Sequence, residues 1–265
     1  MRTIALALLA LTLGCGDAAG PKKPPTGAAL PAELDSSGCG EEASGGDYTP
    51  EKGSATVVGR VRFDGEPPVR RPIDFGAEEY CKGAHATPLL SELVIVGAEG
   101  GLANVFVQVK SGLTGWKFAK PSEAKVLDQA GCNYVPHLLG LHVGQELKIR
   151  NSDPLMHNIH AINQSTGKSE FNFAQTQKGA EATRSFPRPM LLQVKCEVHG
   201  WMGAYIHVVK HPFHAVTGED GAFSLPRLPS GTYEIEAWHE KLGTRVERVT
   251  LGDGETKEIA FLFAK

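Results

Sequence analysis

The chain has 265 residues, 41% of them hydrophobic and 22% charged, enough apolar material for one or two globular cores. Its 27 Lys and Arg against 30 Asp and Glu give a formal net charge of −3, and no basic run carries interleaved aromatics, so nucleic acid is not an expected partner. Gly (31) and Pro (17) separate short Val-, Ile- and Thr-containing runs, the pattern of an all-β chain.

Residues 1–14 read as a signal peptide, with Arg2 as its positive end, Ile4 to Leu13 as its apolar stretch and Leu13-Gly14-Cys15 as its processing site. The apolar stretch is too short to persist as a transmembrane helix. The small residue before Cys15 resembles a bacterial lipobox, which implies that Cys15 is lipidated after cleavage. Thr12 departs from that pattern, because the usual Leu falls at Leu11. The alternative is an ordinary secretory signal with an incidental cysteine. Either way the expectation is an exported protein, on the periplasmic side or the cell surface, and with lipidation a membrane-anchored one. Residues 15–52 hold Gly, Ala, Pro, Ser and Glu with few bulky apolar side chains, a composition expected of a flexible tether. Cys39 lies within it without an obvious partner.

Strand-like runs follow at Thr56–Phe63, Leu93–Val96, Asn104–Lys110, Leu138–Val143, Glu146–Asn151, Leu191–Lys195 and Ala204–Val209, punctuated by Gly, Pro or Asp. Ser122–Ala130 is the one stretch that could hold a short helix. After His211-Pro212 come a turn at 217–221, runs at Ala222–Leu228 and Thr232–Glu240, and two more runs ending at Phe263. The segment VTGEDGAFSLPRLPSGTYEIEAW resembles the carboxypeptidase regulatory-like, transthyretin-like β-sandwich family, and TVVGRVRFDGEPP (56–68) is similar to that family's first strand and turn. Residues 213–265 offer about four strands where a sandwich needs roughly seven, so the expected sandwich is completed from both ends of the chain. The expected division is 53–102 as an N-terminal β extension, 103–210 as a metal-bearing domain and 211–265 as the smaller sandwich.

The strongest chemical signal is Cys196-Glu197-Val198-His199-Gly200-Trp201-Met202, which puts a thiolate, an imidazole and a thioether on one short loop between strands. Some forty residues earlier, Asn151-Ser152-Asp153-Pro154-Leu155-Met156-His157-Asn158 supplies a second imidazole just after a strand. Two His nitrogens and one Cys sulfur with a weak axial Met form the soft, mixed donor set that holds copper and carries one electron. Zinc suits the set less well, because Met is a poor zinc ligand. Taken singly, Cys196 and Met202 are ordinary core residues; it is the combination at these offsets that points to a metal.

NSDPLMHN together with CEVHGWMGAYIHV resembles the cupredoxin family, the Cys-x2-His-x2-Met loop being the short version of amicyanin-like members. The resemblance implies an all-β, cupredoxin-like Greek-key β-sandwich beside the second, smaller transthyretin-like or Ig-like sandwich. It implies one type 1 copper on His157, Cys196, His199 and Met202, with His199 as the exposed imidazole through which electrons pass. Asn158 would tie the two ligand loops together by hydrogen bonds. Trp201, between two ligands, is expected to cover the metal and exclude water, or to pack against the neighbouring domain.

With Cys15 lipidated and Cys196 on the metal, Cys81, Cys132 and Cys39 are left. Export permits disulfides, and Cys81–Cys132 is the expected bridge because both lie in folded sequence, with pairings through Cys39 as alternatives. On a strand His160 would face away from His157. His211, His214 and His239 fall near the expected domain junction.

The leading functional expectation is an electron carrier working between an exported redox donor and acceptor. The second is an extracytoplasmic binding module, for carbohydrate or protein, with a structural or copper-storage metal site. A nitrite reductase or multicopper oxidase is disfavoured by the lack of His-x-His repeats and of a second copper domain, and no Gly-x-Ser-x-Gly elbow supports hydrolysis.

Overall fold

Alternation builds the strands. Ala55–Phe63 (ATVVGRVRF) buries Ala55, Val57, Val61 and Phe63 on one side and turns Arg60 and Arg62 to solvent. His157–Asn163 does the same with His157, Ile159, Ala161 and Asn163 facing inward, so His160 faces the other way. The computed structural model describes residues 45–265, and the signal segment, Cys15, Cys39 and most of the tether lie outside the described residues. The described part is almost entirely β, and it contains no helix long and apolar enough to cross a membrane.

Two β-sandwiches account for the strands, apart from the short parallel pair of Gly46–Asp47 with Trp116–Lys117. In the first, a five-stranded sheet runs in the order Ser169–Gln175, His157–Asn163, Met190–Lys195, Gly203–Val209, Leu138–His142. A four-stranded sheet runs Glu181–Arg184, Leu147–Asn151, Lys125–Gln129, Tyr134–Val135. Leu127, Leu141, Ile149, Ile159, Leu192 and Ile206, all fully buried, fill the space between them together with Cys196 and Met202. In the second sandwich the order is His214–Val216, Phe106–Ser111, Gly231–His239, Gly243–Leu251 on one side. On the other it is Ala222–Leu228, Ala55–Phe63, Thr256–Phe263. The Ala55–Phe63 strand pairs in parallel with Thr256–Phe263 from Thr56↔Thr256 to Phe63↔Phe263, so both ends of the described chain close this sandwich.

Three expectations require correction. The boundary at 103 does not separate the sandwiches, because Phe106–Ser111 lies between His214–Val216 and Gly231–His239. Val107 and Val109 there join the core of Val61, Ile235 and Phe261, and the sandwich that carries Cys196 takes its first strand at Lys125. Ser122–Ala130 is not helical: Lys125–Gln129 is a strand paired in parallel with Leu147–Asn151, and the pairing buries Leu127. Leu93–Val96 forms no strand and contributes only the bridge Val96↔Leu102. The strands His157–Asn163, Ser169–Gln175 and Glu181–Arg184 were not expected.

The segment between the first two long strands of the second sandwich crosses to the first one. It carries the helix Glu79–Gly83 and is bonded there by the Cys81–Cys132 disulfide. Phe75 and the disulfide form a small buried cluster, packed against Leu155 and Trp201. The sandwiches also meet along a seam. The His207 ring stacks on Phe106 at 4.0 Å and meets Trp238 at 4.6 Å. Gly140 is needed there, since a Cβ would fall 2.4 Å from the His214 ring. At one end of the seam His137 Nε2 lies 2.5 Å from Glu240 Oε1, while its Nδ1 is 3.1 Å from the Gly203 carbonyl.

Candidate metal centre

The site forms where two connections of the first sandwich meet at one end of its core. After Leu147–Asn151 the chain turns through Ser152–Met156, and the next strand opens at His157. After Met190–Lys195 it turns through Cys196–Met202 into Gly203–Val209. The second turn closes on itself: the Met202 N–H donates to the His199 carbonyl (3.0 Å) and the Cys196 N–H to the Met202 carbonyl (3.3 Å).

Three donor atoms converge. His157 Nδ1 and His199 Nδ1 are 3.0 Å apart, and Cys196 Sγ is 3.7 Å from His199 Nδ1. All three side chains are buried, and their ligand atoms lie within 4.8 Å of one another. Cys196 is the one free cysteine among the described residues. Backbone N–H groups of His199 (3.3 Å) and Asn158 (3.4 Å) point at its sulfur. Burial alone would push the Cys196 thiol up. The His157 ring and the amides of Asn158, His199 and Val198 outweigh that and hold it below its ordinary value, toward the thiolate that a metal requires. His199 is held below its ordinary value by burial and by His157 beside it, which keeps it a neutral donor. Two imidazoles and one thiolate so placed fit a single soft metal ion. Met202 is buried in the same core as Cys196.

Asn158 links the two turns. Asn158 accepts the Glu197 N–H at its Oδ1 (3.3 Å) and donates through Nδ2 to Asn172 Oδ1 (2.8 Å) and the Phe173 carbonyl (3.1 Å). The Trp201 indole donates to the Cys132 carbonyl (3.0 Å), and its ring lies 5.1 Å from His199 and 5.4 Å from Phe75. Trp201 therefore packs against the crossing segment and covers a ligand at once. His199 differs from expectation. Only 2% of it is exposed, with the Trp201 ring beside it and Phe75 of the crossing segment packed against that ring, while Met156 and Val198, next in sequence to His157 and His199, stay open to solvent. His160 binds Glu197 on the outer face at 2.5 Å. Among the remaining histidines, His211, His214 and His239 join no metal-ligating cluster among the described residues.

Sequence reasoning gave Asp153 no role. It is 2% exposed, and its Oδ2 lies 2.8 Å from His157 Nε2. A carboxylate four residues before a ligand, on a Pro-containing turn, was the available signal. Burial would raise the Asp153 carboxyl, but His157, the amides of Cys132 and Gly131 and the Tyr80 hydroxyl together hold it below its ordinary value. Asp153, Cys132 and His157 also approach one another. The Cys132 sulfur is spent in the disulfide, so that side of His157 is a support and not a second metal site.

No family model and no curated protein matches the chain. Solved structures do, over about a third of its length. A purple cupredoxin from Nitrosopumilus maritimus shares 24% identity, over 32% of this chain and 98% of that one, with a TM-score of 0.28. A Cu(I) amicyanin variant shares 22% identity, over 32% and 81%, with a TM-score of 0.28. A copper-containing nitrite reductase from Thermus scotoductus shares 19% identity, over 34% of this chain and 23% of the reductase, with a TM-score of 0.28.

Proposed function

We propose that this protein is a blue-copper electron carrier, holding one type 1 copper on His157, Cys196 and His199 with Met202 as the axial ligand. The observation that carries the reading is the convergence of the His157 and His199 Nδ1 atoms on the buried Cys196 sulfur. When bound, copper supplies a reversible one-electron couple. The protein's part is to hold the donors still. The closed Cys196–Met202 turn fixes three residues of the set, Asn158 locks that turn to the His157 strand, and amide N–H groups stabilise the thiolate. Trp201 and Phe75 keep water away. With His199 roofed over, exchange with a redox donor and acceptor would run through the surface around Met156 and Val198. Export and a lipid on Cys15 would hold the carrier at a membrane surface.

The burial of His199 favours a second reading, in which the metal is structural or stored and a sandwich face binds a carbohydrate or protein. Loading the purified protein with Cu(II) separates them. The carrier reading expects an intense Cys-to-copper absorption band, lost in Cys196→Ser, and a reversible wave in voltammetry. A colourless Cu(II) protein, or colour that survives Cys196→Ser, sinks it. A coloured protein without a reversible wave leaves the storage reading standing.

A further inference from the structure

We propose that Asp153 is the positioning residue of the metal centre. Its carboxylate fixes the orientation of the His157 ring and its negative charge favours the oxidised metal, while the chain at the two ends of the Cys81–Cys132 disulfide holds it in place. The inference rests on the copper reading above.

The carboxylate is saturated from four directions. Oδ2 accepts the Cys132 N–H at 2.7 Å and faces His157 Nε2 at 2.8 Å. Oδ1 accepts the Gly131 N–H at 2.7 Å and the Tyr80 hydroxyl at 3.0 Å. The Asp153 N–H is itself anchored to Asn151 Oδ1 at 3.0 Å. Two of these donors come from the Gly131–Cys132 turn and one from Tyr80 beside Cys81, so both ends of the disulfide grip the same group. His157 Nε2 can bond this carboxylate only as an N–H donor, which leaves Nδ1 aimed at Cys196 and His199. A ligand imidazole whose far N–H meets a carboxylate is fixed in ring orientation and made more basic.

The charge matters as much as the hydrogen bond. Asp153 is a second negative group beside the Cys196 thiolate, and both lie in a low-dielectric interior. The pair favours the doubly charged metal over the singly charged one. An asparagine cannot replace it quietly: an amide brings two N–H donors of its own to a position where four donors already point.

The test uses full-length protein in wild-type, Asp153→Asn and Tyr80→Phe forms, with Cu(II) alone as the probe. Affinity is read by chelator competition and the midpoint potential by redox titration. Asp153→Asn is expected to keep the Cys-to-copper band, because every ligand is intact. It should bind Cu(II) about 10–100-fold more weakly and shift the midpoint to more positive potential. Tyr80 is 40% exposed, so Tyr80→Phe is a mild change. It strips one donor from the carboxylate, strengthens its hold on His157 and is expected to shift the midpoint the opposite way. Tyr80→Phe decides the matter alone if Asp153→Asn does not fold. A coloured wild type whose variants share its affinity and midpoint overturns the role of Asp153. A colourless wild type overturns the copper reading instead. In metal-free protein a slowly exchanging His157 Nε2 proton, seen by NMR and lost in Asp153→Asn, is expected whichever way copper behaves; its absence from wild type overturns the clamp.

Discussion

The sandwich closed from both ends of the chain hides an almost wholly apolar interior. The one that carries Cys196 also hides Gln129, Asn151, Asp153, His157, Gln175 and His199. Both have two sheets and a continuous core of fully buried aliphatic side chains, so burial of apolar area holds each together. The difference lies in the polar groups, which cost free energy to bury unless each finds a partner. In the sandwich that carries Cys196 they find partners, many of them on the main chain: Gln175 donates to the Ile149 and Ala180 carbonyls, Asn151 to those of Leu155 and Gln175, and Asp153 receives four donors. Such a network specifies one arrangement of the ligand loops where an apolar core would tolerate several. The plain sandwich acts as the frame, and the network-bearing one as the site.

The contrast is tested first at the seam, where the two share buried histidines. Burial holds His207 down to about 3 and His211 and His214 down to about 4, helped for His207 and His211 by the charge that His214 would carry. Ring nitrogens of all three lack hydrogen-bond partners. Folded, these groups stay neutral below their ordinary value of about 6.5, while the unfolded chain takes up protons there. The unfolded state therefore binds more protons, and stability is lost as pH falls from about 6.5 toward 4. The combined loss is expected to reach several kcal/mol, read as a falling Tm across a pH series. His207→Phe should flatten the slope; an unchanged slope would mean that His207 does not carry this pH dependence.

The disulfide sharpens the comparison, because it ties the segment that crosses from the plain sandwich to the one that carries Cys196. It joins residues 51 apart, and its removal in Cys81→Ser/Cys132→Ser is expected to cost about 4 kcal/mol by the loop-entropy relation. Denaturant unfolding measures that. A cost under 1 kcal/mol would show that the crossing segment is held by Phe75 and Trp201 instead. A smaller effect is expected at Asn158. Asn158→Ala unties the ligand loops at about 1–2 kcal/mol and should broaden the copper band more than it lowers the Tm. An unchanged band would remove Asn158 from the site and leave it a strand residue.

Local pattern revealed part of this architecture. Ala55–Phe63 alternates so regularly that strand and inward face both follow from the sequence, and the Cys196–Met202 loop shows a thiol, an imidazole and a thioether close together in sequence. Lys125–Gln129 is different. Nothing in KVLDQ separates strand from helix, and its state is decided by the neighbouring strand at Leu147–Asn151. Phe106–Ser111 was legible as a strand but not as a member of the second sandwich, since an alternating run carries no mark of its partner. The packing of Trp201 beside His199 leans on Phe75, more than a hundred residues away, and the Asp153 clamp draws on two amides of the Gly131–Cys132 turn and the Tyr80 hydroxyl. Both are products of topology.

The parallel pairing of Ala55–Phe63 with Thr256–Phe263 also sets an order of events. Every strand of the sandwich that carries Cys196 lies between Lys125 and Val209, so it can assemble from one continuous stretch. The frame cannot close until its last strand, two hundred residues after its first, has been made, and contacts of such long range form slowly. The strands around the ligand cluster are therefore complete in sequence before the frame that holds both ends of residues 64–105 can close.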